Sequence, residues 1–323
     1  MKKWIVGIDT SCYYTSLSVI DTHGSVRINN RLALPVKLGS LGIRQNDAVF
    51  HHVQNLASLS SGCLAGLDPL LAAAVGVSVK PEDRVNSYMP VFKVGEAFGK
   101  TIASVLRVPL FEFTHQQGHV TAAKLNCGMD AERFIVFHIS GGTTESLLYD
   151  KGKLHILGCT KDISAGQLID RAGVRLGLSF PSGPEMEALA VSGVSLSAIP
   201  VSKTSDELDC HFSGAENQII KWVETNKCKN DIAAEVFDVI SRTLVKMINT
   251  AVNAAGCANV LLVGGVASSV LLRKTLLSSF TGRQDVHLFF GLPEYSSDNA
   301  LGVALLALQQ LMNGECVYGC SNH

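Results

Sequence analysis

The sequence contains no C-x-x-C pair, and its nine cysteines are an odd number scattered among apolar neighbours, as in Ala255-Gly256-Cys257-Ala258. Neither a zinc ribbon nor a disulfide framework is indicated, and a reducing cytoplasm fits this usage. Charge is scarce, at 17% of residues against about 25% in an average soluble domain. It balances to −1, with a pI near 6.8. No whole-surface basic field advertises nucleic acid, so an RNA partner would need a local patch or helper proteins. Lys2 and Lys3 are followed by only a few apolar residues before Asp9, which is not a signal peptide. The longest uncharged run, Met247 to Leu272, is long enough to suggest a membrane span. It is broken by Asn253, Asn259, Gly264-Gly265 and Ser268-Ser269, the pattern of a helix end, a buried strand, a turn and a helix start. Apolar residues, by contrast, make up 47% of the 323 residues. That excludes disorder and suggests about two domains.

An internal echo organises the chain. Trp4 to Asp9 predicts a buried strand, followed by the small turn Thr10-Ser11-Cys12. A strand from Thr15 to Ile20 comes next, then an Asp21–Gly24 turn and strand character at Val26-Arg27-Ile28. The pattern returns as strand Phe134–Ile139, turn Ser140-Gly141-Gly142-Thr143, strand Glu145–Tyr149, turn Asp150-Lys151-Gly152 and strand Leu154–Leu157. Two such copies, each followed by helical segments, predict a duplicated α/β domain. The expected boundaries are a first domain over 1–128, a second over 129–296, and over 297–323 a final helix packing back on the first domain, with a loose tail. No low-complexity linker separates the domains, so they are expected to pack across a cleft.

Between the copies the periodicity predicts a helix over 47–64, a strand over 72–79, a helix over 94–105 and a strand over 109–113. After the second copy it predicts helices over 165–176, 185–191 and 231–255. Strand Asn259–Val263 then runs into Gly264-Gly265-Val266-Ala267 and a helix, and the final helix spans 297–312.

Several groups could carry chemistry. Thr114 and Gln117 match a capping box that starts a helix at His115. On such a helix His115 and His119 share a face, about 5–6 Å apart, where two imidazoles can chelate one metal ion. Gln116 stands where a metalloprotease H-E-x-x-H motif has its glutamate. The bland alternative is a pair of solvated or capping histidines. The small turns at Asp9-Thr10-Ser11, Ser140 to Thr143 and Gly264 to Ala267 follow apolar strands and suit phosphate; together they favour a nucleotide in the interdomain cleft. Asp170 and Glu187 flank Phe180 to Pro184 and could hold ribose hydroxyls, or be surface charge on amphipathic helices. Ser297 or Asp298 could simply cap the last helix. Cys316-x3-Cys320-x2-His323 has the wrong spacing for a metal site.

In these motifs the sequence resembles the catalytic subunit family of the tRNA N6-adenosine threonylcarbamoyltransferases, once described as O-sialoglycoprotein endopeptidases. The resemblance runs from Val6 to about Leu308. It rests on the ordered set Gly7 to Cys12, His115-x3-His119, Ile139-Ser140-Gly141-Gly142, Ala165-Gly166 through Asp170, Gly183-Pro184 with Glu187, His211-Phe212-Ser213-Gly214, Gly264 to Ala267 and Ser297-Asp298-Asn299. It implies a duplicated actin-like ATPase fold of the sugar-kinase superfamily, with two RNase H-like lobes around a cleft. It implies one divalent metal ion, iron or zinc, on His115, His119 and Asp298, serving as Lewis acid and template. It implies adenylate contacts from Ile139, Ser140, Gly141, Gly142, Thr143, Asp170, Gly183, Glu187 and Ser269. The implied reaction moves threonylcarbamoyl from threonylcarbamoyl-AMP to an adenosine of tRNA, in a dimer with itself or a related actin-like protein formed through the first domain.

The departures are specific. Tyr13-Tyr14 replace the family's Asp-Glu, and Lys80-Pro81-Glu82-Asp83 replace its Gly-Pro-Gly-Leu. Arg44 to Asp47 replace its Pro-Glu-x-Ala-Ser-Arg, Ser269 stands for an asparagine, and Thr143 for a histidine common in bacterial members. His138 stands just before the position of a metal-contacting tyrosine and is a candidate additional ligand. These changes point to a diverged paralogue. Three readings follow: a threonylcarbamoyl or carbamoyl transferase; a non-catalytic nucleotide-binding scaffold or regulator; and a metallopeptidase, for which Asp9, the candidate catalytic carboxylate, would be the general base.

Overall fold

The computed structural model describes residues 3–11, 13–35, 43–84, 87–201, 208–295 and 299–314. In chain order the elements are β1 (Trp4–Thr10), β2 (Tyr14–Asp21), β3 (Val26–Ala33), α1 (Gln45–Leu64), β4 (Ala72–Lys80), α2 (Phe92–Leu106), β5 (Leu110–Thr114) and α3 (His115–Lys124). There follow β6 (Arg133–Ile139), β7 (Thr144–Asp150), β8 (Lys153–Cys159), α4 (Ala165–Arg175), α5 (Gly183–Val191), α6 (Ser213–Glu224) and α7 (Lys229–Ala255). Last come β9 (Asn259–Val263), α8 (Val270–Ser279), β10 (His287–Phe290) and α9 (Leu301–Met312).

The chain divides into two compact units. One runs to Leu125 and takes in α9; the other begins at Asn126 and holds β6 to β10. Each has one five-stranded sheet, ordered β3-β2-β1-β4-β5 in the first and β8-β7-β6-β9-β10 in the second. The match extends to direction. In each unit the first three strands form an antiparallel meander, and the first strand pairs in parallel with the fourth and the fourth with the fifth. The duplicated α/β topology expected from the echo is therefore present strand for strand.

In the first unit every residue of β1 is buried, as a central strand covered on both faces must be. Val6 and Ile8 pack with Leu56 and Leu59 of α1 and Ala103 of α2. The alternate face meets α9 at very short range. A Cβ at Gly7 would stand 2.3 Å from the Ala300 carbonyl oxygen, and one at Gly76 2.6 Å from that of Val303. Glycine on β1 and β4 is what lets α9 lie directly on the sheet. In the second unit Ile135, Phe137 and Ile139 of β6 share a core with Leu168 of α4 and Ile240 and Leu244 of α7. Among the described residues no helix is long and apolar enough to cross a membrane.

The elements depart from expectation in a few places. The last helix begins at Leu301 rather than at 297. Asn299 Oδ1 accepts the Leu301 N–H at 3.0 Å, and Ala300 occupies the cap position without a side-chain bond. Ser297 and Asp298 lie outside the described residues, as do Cys12 and the Cys316–His323 tail. α5 starts two residues early, with Pro184 in its first turn, where a missing N–H costs nothing. β3 runs on to Ala33, although its exposed edge carries no apolar alternation. α6 and β10 were not expected at all; β10 has only four residues and is partly exposed.

Candidate functional site

In the second unit the parallel neighbours β6 and β9 run out at the same edge, the place where open α/β sheets bind ligands. β6 ends in the turn at Ser140 to Thr143. It is closed by the Ser140 N–H to the Thr143 carbonyl at 2.9 Å and the Thr143 N–H to Ser140 Oγ at 3.2 Å. α4 starts against this turn. Its cap, Ser164, accepts the Gln167 N–H at 3.0 Å in a capping box and donates its own hydroxyl to the Gly141 carbonyl at 2.8 Å. The approach is close enough that a Cβ on Gly166 would lie 2.4 Å from the Ser140 carbonyl oxygen.

A cavity of roughly 280 Å³ opens here, and every residue that lines it belongs to the second unit. Of the sequence candidates, Gly141, Asp170, Gly183, Glu187 and Ser269 line it. Ser140, Gly142 and Thr143 belong to the adjoining turn, and Ile139 is fully buried in the core behind it. Asp170 Oδ1 accepts the Ser182 N–H at 2.7 Å. Burial pushes the Asp170 carboxyl above its ordinary value, against the pull of the Ser182 amide. Glu187 reaches from α5 to the start of α8, where its Oε1 accepts the Leu271 N–H at 2.7 Å. Ser269 caps the same helix, accepting the Leu272 N–H at 3.1 Å. Two residues expected to meet a ligand therefore also fix the first turn of α8.

The apolar wall is made by Ile169, Phe237 and Val266, with Pro181 and Pro184 at the side. Phe237 lies in the first half of α7, a helix with no motif to mark it. Ile169 and Val266 lie inside the motifs Ala165 to Asp170 and Gly264 to Ala267. A lining that combines these apolar side chains with two carboxylates and a glycine turn has the chemistry to take a purine face, ribose hydroxyls and a phosphate.

The second cluster is in the first unit. The expected capping box is present, Thr114 Oγ1 accepting the Gln117 N–H at 3.1 Å, and α3 starts at His115. His115 and His119 face each other with their Nε2 atoms 2.9 Å apart. His115 Nδ1 is 2.9 Å from Oδ1 of the fully buried Asp9. With Asp9 ionised, and so an acceptor only, the donor is the His115 Nδ1–H, which leaves the Nε2 lone pair facing His119. Ser78 of β4 donates its hydroxyl to the same Asp9 oxygen.

This arrangement fits a metal of the zinc or iron kind. Two imidazole nitrogens converge, and one ring is backed at its other nitrogen by a carboxylate, the usual setting of a ligating histidine. Among the described residues no group of three or more His, Cys, Asp or Glu is placed to hold a metal ion. Asp298, the third expected ligand, is outside those residues. His138 belongs to the other unit, at the end of β6, with Nδ1 3.4 Å from Oε1 of its cross-strand neighbour Glu145.

Three comparisons bear on this geometry. A family model described as tRNA N6-adenosine threonylcarbamoyltransferase matches residues 87–305. The tRNA N6-adenosine threonylcarbamoyltransferase of Moorella thermoacetica is 30% identical over 95% of this chain and 92% of its own length. A probable bifunctional tRNA threonylcarbamoyladenosine biosynthesis protein of Thermoplasma volcanium is 27% identical over 96% of this chain, which spans only 57% of that relative's length. Among solved structures, a ROK family glucokinase from Streptomyces griseus in complex with glucose and AMPPNP matches 95% of the chain and 99% of its own. Its TM-score is 0.54 at 14% identity, a likeness of fold alone.

Proposed function

The chain belongs to the tRNA N6-adenosine threonylcarbamoyltransferase family, as a diverged member with the actin-like, sugar-kinase fold, and we propose that it transfers threonylcarbamoyl from threonylcarbamoyl-AMP to N6 of a tRNA adenosine. The observation that carries this reading is the second unit's cavity, whose lining combines apolar side chains, two carboxylates and glycine turns, the groups an adenylate needs. Phe237, Ile169 and Val266 would cover the base, Asp170 and Glu187 would accept from the ribose hydroxyls, and the Ser140–Thr143 turn would face the phosphate.

The raised Asp170 suits this role, because a ligand hydroxyl compensates a carboxylate that burial has stripped of water. In the transfer, the adenosine N6 lone pair attacks the carbamoyl carbon. The bond from that carbon to the phosphate oxygen breaks, AMP leaves with its electron pair, and the amine proton passes to solvent. His115, His119 and Asp298 would hold one divalent metal, iron or zinc, whose contribution when bound is Lewis-acid chemistry. With a net charge of only −1, the chain would reach tRNA together with helper proteins.

The first unit also carries a groove of roughly 760 Å³ between α1 and α2, lined by Val49, Val53, Leu56, Val94 and Phe98. Val53 is 56% exposed there, and the adjacent Phe50 is 59% exposed. Exposed apolar surface on neighbouring helices favours pairing with a related actin-like protein or a second copy.

Calorimetry with ATP, AMP and a non-hydrolysable threonylcarbamoyl-AMP analogue tests the reading, on zinc-loaded protein and on Asp170→Ala and His115→Ala. The analogue is expected to bind more tightly than AMP, to lose affinity at least tenfold in Asp170→Ala, and to weaken without metal. Metal-independent binding of ATP alone would favour the scaffold or regulator. Binding of no adenylate would overturn both readings.

A further inference from the structure

Asp9 is the first strand's carboxylate, and on the sequence alone it is a candidate base. Its surroundings assign it other work. It is fully buried near the end of β1, and Ser78 of the neighbouring strand β4, one residue past the last registered pair Ile8–Val77, is also fully buried. Ser78 Oγ and His115 Nδ1 both meet the same oxygen, Asp9 Oδ1. The direction of each bond follows from the donors available. The serine hydroxyl donates to the carboxylate, and the carboxylate accepts from the His115 Nδ1–H.

We infer that Ser78 and Asp9 are positioning residues for the histidine pair: Ser78 locks the Asp9 carboxylate, which in turn fixes the ring orientation and tautomer of His115 so that its Nε2 lone pair faces His119. The inference rests on the metal reading of His115 and His119 given above, and extends it to residues that would not touch the metal.

Three features support it. The relay Ser78–Asp9–His115–His119 is continuous, with 2.9 Å at both the Asp9–His115 and His115–His119 steps. Its first two members, Ser78 and Asp9, sit on the adjacent parallel strands β4 and β1, rigid elements that hold a side chain better than a loop does. Asp9 is also cut off from solvent, while the His115 side chain keeps 16% exposure; a base serving a bulky acceptor would need the opposite arrangement. The neighbouring Thr10 makes a separate structural contact, donating to the Val91 carbonyl at 2.9 Å and accepting the Gly95 N–H at 3.1 Å. It plays no part in the relay.

The test is the affinity of the full-length apo protein for Zn2+, measured by competition with a chromophoric chelator, for wild type, His115→Ala, Asp9→Ala, Ser78→Ala and Ser78→Thr. Outer partners of a ligating histidine typically contribute about 10–100-fold in metal affinity. Ser78→Ala is expected to lose about tenfold and Asp9→Ala up to about 100-fold, while Ser78→Thr, which keeps the hydroxyl, stays near wild type. Rescue by threonine separates positioning from packing, since threonine fills the buried site differently from both serine and alanine. Should Asp9→Ala fail to fold, the serine pair still decides. Wild-type affinity in Ser78→Ala overturns the inference while leaving the metal reading intact. Wild-type protein that binds no zinc, or binds it equally in His115→Ala, overturns the metal reading and the inference with it.

Discussion

A carboxylate's partners decide what it does, and Asp162 shows this at the His211-Phe212-Ser213-Gly214 motif. It sits between β8 and α4 and accepts the Ile163 N–H at 2.7 Å, the Phe212 N–H at 2.8 Å, and the Ser213 N–H and hydroxyl. It thereby pins His211-Phe212-Ser213 and satisfies the first amides of α6, a helix whose own cap residue makes no side-chain bond. Burial pushes the Asp162 carboxyl up, but the hydrogen bonds from the Ser213 hydroxyl and the Phe212, Ser213 and Ile163 amides outweigh it and hold it below its ordinary value. A depressed folded value means that the contribution to stability is present above the unfolded carboxyl's value of about 3.9 and is lost as pH falls through the lower folded value. Replacement by Asn is expected to destabilise the protein by about 1 kcal/mol near neutral pH, an amount kept small by solvent screening. Urea unfolding of wild type and Asp162→Asn at pH 7 and below about pH 3 checks this; a gap that does not narrow in acid contradicts it.

At the scale of elements, the cavity depends on how closely α4 approaches the turn after β6. Gly166 is the point of contact. An added Cβ would meet the Ser140 carbonyl oxygen at 2.4 Å and the Gly141 Cα at 2.6 Å, backbone atoms that cannot swing aside. Gly166→Ala is therefore expected to cost about 1–3 kcal/mol of stability, the usual range for overpacking. It should weaken adenylate binding more than substitution at a remote glycine such as Gly62, around which a Cβ meets nothing. Thermal unfolding together with calorimetry reads both effects; AMP affinity unchanged in Gly166→Ala would show that the turn is free to move. α8 depends on its neighbours in the same way, since Glu187 from α5 supplies the acceptor for the Leu271 amide.

At the scale of the whole molecule, the groove between α1 and α2 leaves apolar side chains such as Val53 more than half exposed. Val53→Glu places a charge in the middle of it. If the groove mediates pairing, this variant should sediment as a single chain, or fail to form the complex with an actin-like partner, while its unfolding midpoint stays within a few degrees of wild type. Sedimentation velocity at several concentrations makes the comparison. An identical distribution for wild type and Val53→Glu would remove the groove from the pairing surface.

The strand–turn–strand echo, the two halves it announces, and the capping box that starts α3 at His115 were all legible in the sequence, because each is written in residues near one another along the chain. So were five of the residues that line the cavity, through the order of short motifs. Other features belong to the tertiary structure alone. β10, with four partly exposed residues, becomes a strand only by pairing with β9. Phe237 joins the cavity from α7, and Asp162 finds the Phe212 and Ser213 donors 50 and 51 residues away. Asp9 and Ser78, 69 residues apart, share a hydrogen bond only because β1 and β4 are neighbours in the sheet. Local patterns determine which elements form. Which side chains meet depends on contacts between distant segments, and that chemistry is set by packing rather than by spacing.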